Sequence, residues 1–237
     1  MKKYEFTGEV KSWFGRTLHR IRATISFGEV KAGDIGGWIE KEENLAHSSN
    51  AWVYDDARVC SNAQVYDDAR VYGNARVYGD ALVCGNAWVY GNAQVYDDAR
   101  VYGDAQVYDD AQVYDDAQVY DDAWVYDDAQ VYGDARVCGN ARVCGNARVC
   151  GNAQVYGDAQ VCKQSHWLCV GPIGSRNDFT TFFRVKDKKI FVKCGCFCGD
   201  IDAFIVKVQA THGDSDHAKA YMAAVESARI RIDLSGE

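Results

Sequence analysis

Residues 104–135 read DAQVYDDAQVYDDAQVYDDAWVYDDAQVYGDA. The same order returns every six positions: an alanine, a variable residue, a valine, a tyrosine and two turn-forming residues. Followed outward in both directions, the pattern covers Ala51 to Gln164 without insertion or slip, as nineteen hexads of the form Ala-x-Val-(Tyr/Cys)-(Asp/Gly)-(Asp/Asn). An amphipathic helix needs apolar residues three and four apart. Here alanine and valine stand two apart and then four apart, which suits a short strand with both side chains on one face, followed by a corner. Gly-Asn, Gly-Asp and Asp-Asp pairs tolerate left-handed backbone and supply that corner.

Three such hexads close a triangular coil of 18 residues, with valine and alanine filling the narrow interior. Nineteen hexads then make about six coils, a prism roughly 30 Å long at a strand spacing of about 4.8 Å. Positions 18 apart stack, so one wall displays Trp52, Arg70, Trp88, Gln106, Trp124, Arg142 and Gln160. Tryptophan recurs on every second coil and alternates with smaller or cationic residues at a rise of roughly 5 Å, within reach of cation–π contact. Trp52, Arg70, Trp88, Trp124 and Arg142 are the candidate binding face, for a partner or for a second copy of the chain, because tryptophan and arginine are enriched in binding hot spots; the plainer reading is drift at an outer position that tolerates any residue. The other two walls carry mainly glutamine and arginine and read as solubilising surface.

The corners concentrate acid. Residues 51 to 164 hold 18 aspartates against seven arginines and Lys163. That stretch carries about −10 while the flanks carry about +2, within a net charge of −8. The densest part is Asp97, Asp98, Asp109, Asp110, Asp115, Asp116, Asp121, Asp122, Asp127 and Asp128. Along the prism the carboxylates fall at about one per 1.7 Å, the charge density of duplex DNA. Two readings stand side by side: a nucleic-acid mimic for a basic cleft, or turn residues that also keep a regular β-rod soluble. Calcium would want a dedicated loop that the spacing lacks. The negative balance speaks against direct nucleic-acid binding through phosphates.

One proline, 22 glycines and 15 tyrosines in 237 residues fit a repeat better than a mixed fold. No apolar run approaches the roughly 18 residues that would span a bilayer, and the opening MKKYEFTG is charged, so the expectation is a cytoplasmic protein without a membrane association. The ten cysteines are accordingly expected as reduced thiols. Six of them, Cys60, Cys84, Cys138, Cys144, Cys150 and Cys162, replace tyrosine in the hexad.

The Ala/Val pairs from Ala51 to Val161 are similar to the hexapeptide-repeat superfamily, best known from acyltransferases, in which a small residue precedes an aliphatic one by two. The resemblance implies a mainly β protein built on a left-handed parallel β-helix, and trimerisation, so a homo-oligomer, dimeric or trimeric, is the expectation. Tyrosine or cysteine after the valine departs from the family, which often has a small residue there. For the family's enzymes the resemblance implies a histidine base beside an inter-subunit cleft, with acyl-CoA along the helix. The repeat itself contains no histidine. His47, just before it, and His166, just after it, are the candidates for such a base; the plainer reading is a polar surface or capping role.

Three segments follow: residues 1–44 as a small N-terminal β cap, 45–164 as the β-helix, and 165–237 as an α+β module. RTLHRIRATISF (16–27) alternates like a strand, and GDIGGWIEKEENL (33–45) gives a glycine turn, then Ile39 and Leu45 at the six-residue spacing. Beyond the repeat a strand, a glycine-rich loop and a hairpin turning at Lys186–Lys189 precede helices near 200–211 and 215–231, separated by THGDSD (211–216). This module resembles the C-terminal part of hexapeptide-repeat proteins of phages and prophages, through Gly174-Ser-Arg-Asn-Asp178 with Thr180-Thr181-Phe182 and Cys194-Gly-Cys-Phe197 with Gly199. The resemblance assigns it no activity. Gly174, Ser175, Arg176, Asn177 and Asp178 form a polar loop suited to an anion, with Thr180, Thr181 and His212 as expected walls. Cys194, Cys196 and Cys198 alternate and would share a face on one continuous strand, but zinc sites prefer Cys-x2-Cys, so no metal is expected.

The expected function is a non-catalytic acidic binding or scaffold protein of phage or prophage origin, acting in the host cytoplasm to inhibit or sequester a host protein, with no cofactor. An acyltransferase-like enzyme using acyl-CoA is the alternative, and a spacer presenting the C-terminal module is a second.

Overall fold

The computed structural model describes residues 2–235. Strands β1 (Tyr4–Trp13), β2 (Arg16–Ala23) and β3 (Ile35–Ile39) open the chain, followed by nineteen two-residue rungs, β4 to β22, from Trp52–Val53 to Gln160–Val161. Each hexad provides one rung, formed by its variable residue and its valine. The rungs pair in parallel at a separation of 18 residues, Trp88 against Arg70 and Gln106, Val89 against Val71 and Val107. Three walls result, and the wall of Trp52 stacks the seven rungs assigned to it, the nineteenth hexad beginning a seventh turn. Every alanine and valine of the hexads from Ala51 to Val161 is fully buried.

The fifth residue of a hexad turns the corner in left-handed backbone. Asp67, Asp97, Asp109, Asp115, Asp121 and Asp127 adopt φ of 56° or 57°, a conformation that aspartate and glycine tolerate better than most residues. The corners also stitch coil to coil. Asp55, Asp115 and Asp127 each accept a backbone N–H from the residue 18 further on, at 3.1 Å, while Asn62 and Asn86 donate to Asp80 and Asp104 at 3.0 Å. Cys144 and Cys162 are likewise 18 apart and form a disulfide across successive coils, with Cα atoms 4.3 Å apart. The expectation of ten reduced thiols is corrected on this point; of the six hexad cysteines, only these two are neighbours on successive coils of one column.

The first end of the rod is closed by β1, β2 and β3. They run antiparallel and continue directly into one wall, β3 pairing in parallel with the rung Arg58–Val59. Ile39 lies opposite Val59 and Leu45 opposite Val65, as their six-residue spacing anticipated. The glycine turn falls at Gly33, with φ 96°, and Gly36 and Gly37 follow it. They lie within β3, pressed on the rod end, where a Cβ on Gly36 would fall 2.6 Å from the Trp52 ring and one on Gly37 2.6 Å from Val53. The buried Lys3 ammonium donates to the Ala51 carbonyl at 2.7 Å, and burial pushes its pKa down to about 8.

At the other end, β23 (Trp167–Ile173), β24 (Asp178–Arg184), β25 (Ile190–Cys194) and β26 (Phe197–Asp200) form an antiparallel sheet. Trp167, Phe183 and Val185 plug the rod, and Thr181 Oγ1 accepts the Gln154 N–H at 2.9 Å. Helices α1 (Ile201–His212) and α2 (Asp216–Arg231) cover the opposite face, capped by Asp200 and Ser215, and bury Phe204, Val208, Tyr221 and Val225 against Phe182 and Val192. β25 ends at Cys194 and Gly195 turns the chain at φ 55°, so Cys194, Cys196 and Cys198 fall on a strand end, a turn and the return strand rather than on one face. Among the described residues no group of three or more metal-ligating side chains converges, and no helix is long and apolar enough to cross a membrane.

Candidate functional site

The wall predicted to carry tryptophan does so, but its members differ in access. Trp52 is only 1 % exposed. Phe27 and Tyr4 of the cap meet its ring edge-on at 5.4 and 6.2 Å, so it is a core residue and not part of a free face. Trp88 is 36 % exposed, and the Arg70 guanidinium lies over its ring at 5.3 Å. Two coils on, Arg142 covers Trp124 at 4.7 Å. The stacking expected from the 18-residue register is therefore present at exposed Trp88 and at half-buried Trp124.

Beside this wall runs a feature that the candidate residues did not include. Tyr72, Tyr90, Tyr108 and Tyr126 stack face to face along the corner, with centroids 4.8–5.1 Å apart and planes within 5°. Tyr72 and Tyr108 meet Trp88 and Trp124 edge-on at 6.2 and 6.4 Å. The hexad's tyrosine was the signal, since equal residues 18 apart must stack. Desolvation, then the neighbouring Tyr90 and Tyr126, pushes the Tyr108 phenol up to about 12, so the stack is neutral at physiological pH. At the cap end, Gly28 and Glu29 overhang the wall, and Arg70 Nη1 donates to Glu29 at 3.1 Å. This overhang closes one side of a groove of about 450 Å³ whose floor is Tyr54, Arg70, Trp88 and Gln106.

Neither candidate base faces such a groove. His47 stacks on Tyr4 at 4.4 Å, its Nδ1 accepts the Lys3 N–H at 3.2 Å, and its Nε2 stands 3.8 Å from Glu42. His166 is buried. Arg184 can only donate, so His166 Nε2 accepts from it at 3.1 Å. Burial foremost, then the Arg184 charge, lowers the His166 pKa and keeps the ring neutral.

Known proteins match the rod. The family described as YdcK Beta solenoid repeat matches in overlapping stretches covering residues 63–91 and 93–163. The matched residues are those that form the solenoid of hexapeptide repeats. A curated relative, "Uncharacterized acetyltransferase YdcK" of Escherichia coli (strain K12), is 35% identical over 63 residues, 23% of this chain and 19% of that protein. The chain thus spans about a fifth of the length of the curated relative it matches.

In the solenoid's acidic middle, Asp110, Asp115, Asp121 and Asp127 each accept a hydrogen bond from the adjacent coil. Asp97, Asp98, Asp109, Asp116, Asp122 and Asp128 are exposed at the same corners. Part of the acid therefore builds the turns.

Outside the solenoid, the predicted ligand loop divides. Ser175, Arg176 and His212 come together at one pocket. Gly174 presses against Tyr221, while Asn177 and Asp178 point to solvent, Asp178 accepting the Phe179 N–H at 2.7 Å. Thr180 and Thr181 are buried, correcting their expected place as walls: the first donates to Cys194 Sγ at 3.2 Å and the second accepts from the end of the solenoid. Lys207, Thr211 and Tyr221 complete the pocket. Lys207 and Thr211 stand four apart on α1, a helical spacing that placed them on one face.

Proposed function

We propose that this protein is a non-catalytic recognition rod whose tryptophan-bearing wall takes a protein partner. The observation that carries the reading is the pair of stacked units, Arg70 on Trp88 and Arg142 on Trp124, joined along one edge by the tyrosine stack. Aromatic residues and arginine supply most of the energy of protein interfaces when presented rigidly. Here backbone pairing on both sides of each rung holds them still, so little ordering entropy opposes binding. The aspartate corners on either side would keep the free rod soluble and favour a partner with a basic rim. Capture of a host factor, the finer expectation from the sequence, belongs to this proposal.

The acetyltransferase name of the E. coli relative favours a second reading, acyl transfer from acyl-CoA. Against it, both histidines that flank the repeat are engaged in packing. The two readings part in one experiment. Trp88→Ala/Trp124→Ala and the unaltered chain are used as bait in lysate of the source cell, and each is incubated with acetyl-CoA. The recognition reading expects a discrete protein retained at least tenfold less by the double variant, as loss of about 2 kcal/mol or more at a hot spot requires. Equal retention by both baits, or acetyl transfer abolished by His47→Ala or His166→Ala, would overturn it.

A further inference from the structure

We infer that the C-terminal α+β unit holds a separate binding site for a small organic anion built on a single aromatic ring. The site is a pocket of about 210 Å³ between the 174–177 loop, the turn after β25 and helix α1. Its floor is apolar. Phe204 meets Phe197 at 5.3 Å and Tyr221 edge-on at 5.6 Å, with Val208 beside them. Its rim is cationic and polar: Arg176, Lys207, His212, Ser175 and Thr211. Apolar floor and cationic rim together select a ligand with a flat hydrophobic body and a negative end.

Three further observations support a built site. First, neither Arg176 nor Lys207 has a carboxylate within ion-pair distance among the described residues. By contrast Arg229, nearby in sequence terms on α2, bridges both Asp202 and Glu226. Second, two left-handed glycines are shaped around the pocket's own residues. A Cβ on Gly174, at φ 72°, would lie 1.9 Å from the Tyr221 hydroxyl, and one on Gly195, at φ 55°, would lie 2.6 Å from an Arg176 nitrogen. Loop and turn can close on Tyr221 and Arg176 only without side chains there. Third, the volume fits. An apolar cavity of about 150 Å³ accepts benzene, so 210 Å³ leaves room for one ring and a carboxylate or phosphate.

The orientation follows from the helix. His212 stands in the last turn of α1, where the carbonyl ends of the helix carry partial negative charge. The anionic end therefore points toward Arg176 and Lys207, and the ring toward Phe204 and Tyr221. A charged hydrogen bond from a planar guanidinium suits either a carboxylate or a phosphate.

Calorimetric titration of the full chain decides the matter with four probes: benzoate, phenyl phosphate, benzyl alcohol and inorganic phosphate. The expected result is one-site saturation by benzoate or phenyl phosphate, weakened at least tenfold by Lys207→Ala and by Arg176→Ala, both at exposed positions where folding is retained by circular dichroism. Whichever of the two aryl anions binds more tightly identifies the head group. Benzyl alcohol should bind at least tenfold more weakly, since it lacks the charge, and inorganic phosphate likewise, since it lacks the ring. The inference is overturned if neither aryl anion saturates the protein, if inorganic phosphate binds as tightly as phenyl phosphate, or if both alanine variants leave affinity unchanged. None of these outcomes depends on the solenoid's tryptophan wall.

Discussion

The solenoid and the α+β unit that closes it reach equally dry interiors by different routes. In the solenoid every interior position is an alanine or valine, each rung meets only the rungs 18 residues before and after it, and the same six-letter instruction serves nineteen times. In the α+β unit a side chain's surroundings come from segments far apart in the chain: Tyr221 of α2 touches Phe204 of α1 and lies against Gly174 of the loop. A repeat of this kind leaves one free position per hexad, so a binding surface must be written as a departure from the pattern, and tryptophan on alternate coils is such a departure. In the non-repetitive unit, a site shows itself through cations that have no carboxylate partner among the described residues, set around an apolar floor.

The sharpest way to break this comparison is to exchange neighbours in the solenoid. Val137 is fully buried and Arg136, next to it, is exposed on the wall. Val137→Asp places a carboxylate among alanines and valines with no partner, which should cost more than about 4 kcal/mol. Arg136→Gln, which substitutes the commonest outward residue of the repeat, should stay within about 0.5 kcal/mol. Urea denaturation of the two variants measures both. Comparable losses would mean that inside and outside are not set by the alternation at all.

How far the chain could be read before its structure divides along the same line. Each of the nineteen rungs falls where the hexad put it, and the three walls carry the residues assigned to them, because register there depends on neighbours in sequence alone. The two C-terminal helices were equally plain, since THGDSD contains both the stop after α1 and the Ser215 cap of α2. What escaped depends on distant contacts. Trp52 has the same hexad position as Trp88, and only the cap folding back upon it makes one buried and the other exposed. That Gly36 and Gly37 must lack side chains shows only once the end of the rod arrives above them. Thr180 and Thr181 look like polar loop walls, but β24 carries them beneath the solenoid's last coil and against Cys194. The binding face was thus legible in outline, with one false member, while the pocket was half legible: Ser175, Arg176 and His212 stood out, and Lys207, Thr211 and Tyr221 needed the helices to be placed.

A second test asks whether the tyrosine stack belongs to the solenoid's stability or only to its surface. Desolvation first, then the facing phenols, raises Tyr108 to about 12, against an ordinary value near 10. A raised pKa means that the fold favours the protonated phenol. That contribution is intact below pH 10 and is lost as pH rises from about 10 through 12. Tyr108→Phe keeps the stacked ring and removes the proton. The variant's stability relative to the unaltered chain should be constant up to about pH 10 and should rise in the variant's favour above it. The pairwise difference matters, because Lys3, lowered to about 8 by burial, acts in the opposite sense between pH 8 and its unfolded value and would mask the effect in a single profile. Denaturant midpoints at pH 9 and 11 supply the test; parallel behaviour of the two proteins would show that the phenol is freely solvated.

The smallest effect concerns the acidic corners, where the solenoid's regularity works against itself. Asp97 has a raised pKa, chiefly from desolvation and then from Asp115 and Asp98. The sign is that of a carboxyl favoured in its neutral form: the contribution is intact below the unfolded value near 3.9 and is lost as pH rises through the folded one. At neutral pH the ionised Asp97 therefore weakens the fold. Asp97→Asn keeps a residue tolerant of the left-handed φ of 56° while removing the charge. A gain of up to about 0.5 kcal/mol is expected at low salt, shrinking as ionic strength screens exposed charges and vanishing in acid. Asp127→Asn is the contrasting variant: Asp127 Oδ2 accepts the Gly145 N–H at 3.1 Å and an amide is the weaker acceptor, so no gain should appear there, whereas at Asp97 burial and the neighbouring carboxylates outweigh its bond to the Asp115 backbone. If both changes stabilise equally, the corner aspartates are interchangeable charges and the coil-to-coil hydrogen bond contributes nothing measurable. If Asp97→Asn gains and Asp127→Asn does not, the acid of the solenoid is of two kinds, some of it holding corners and some of it retained against its own repulsion, which is where selection for a charged surface would leave its mark.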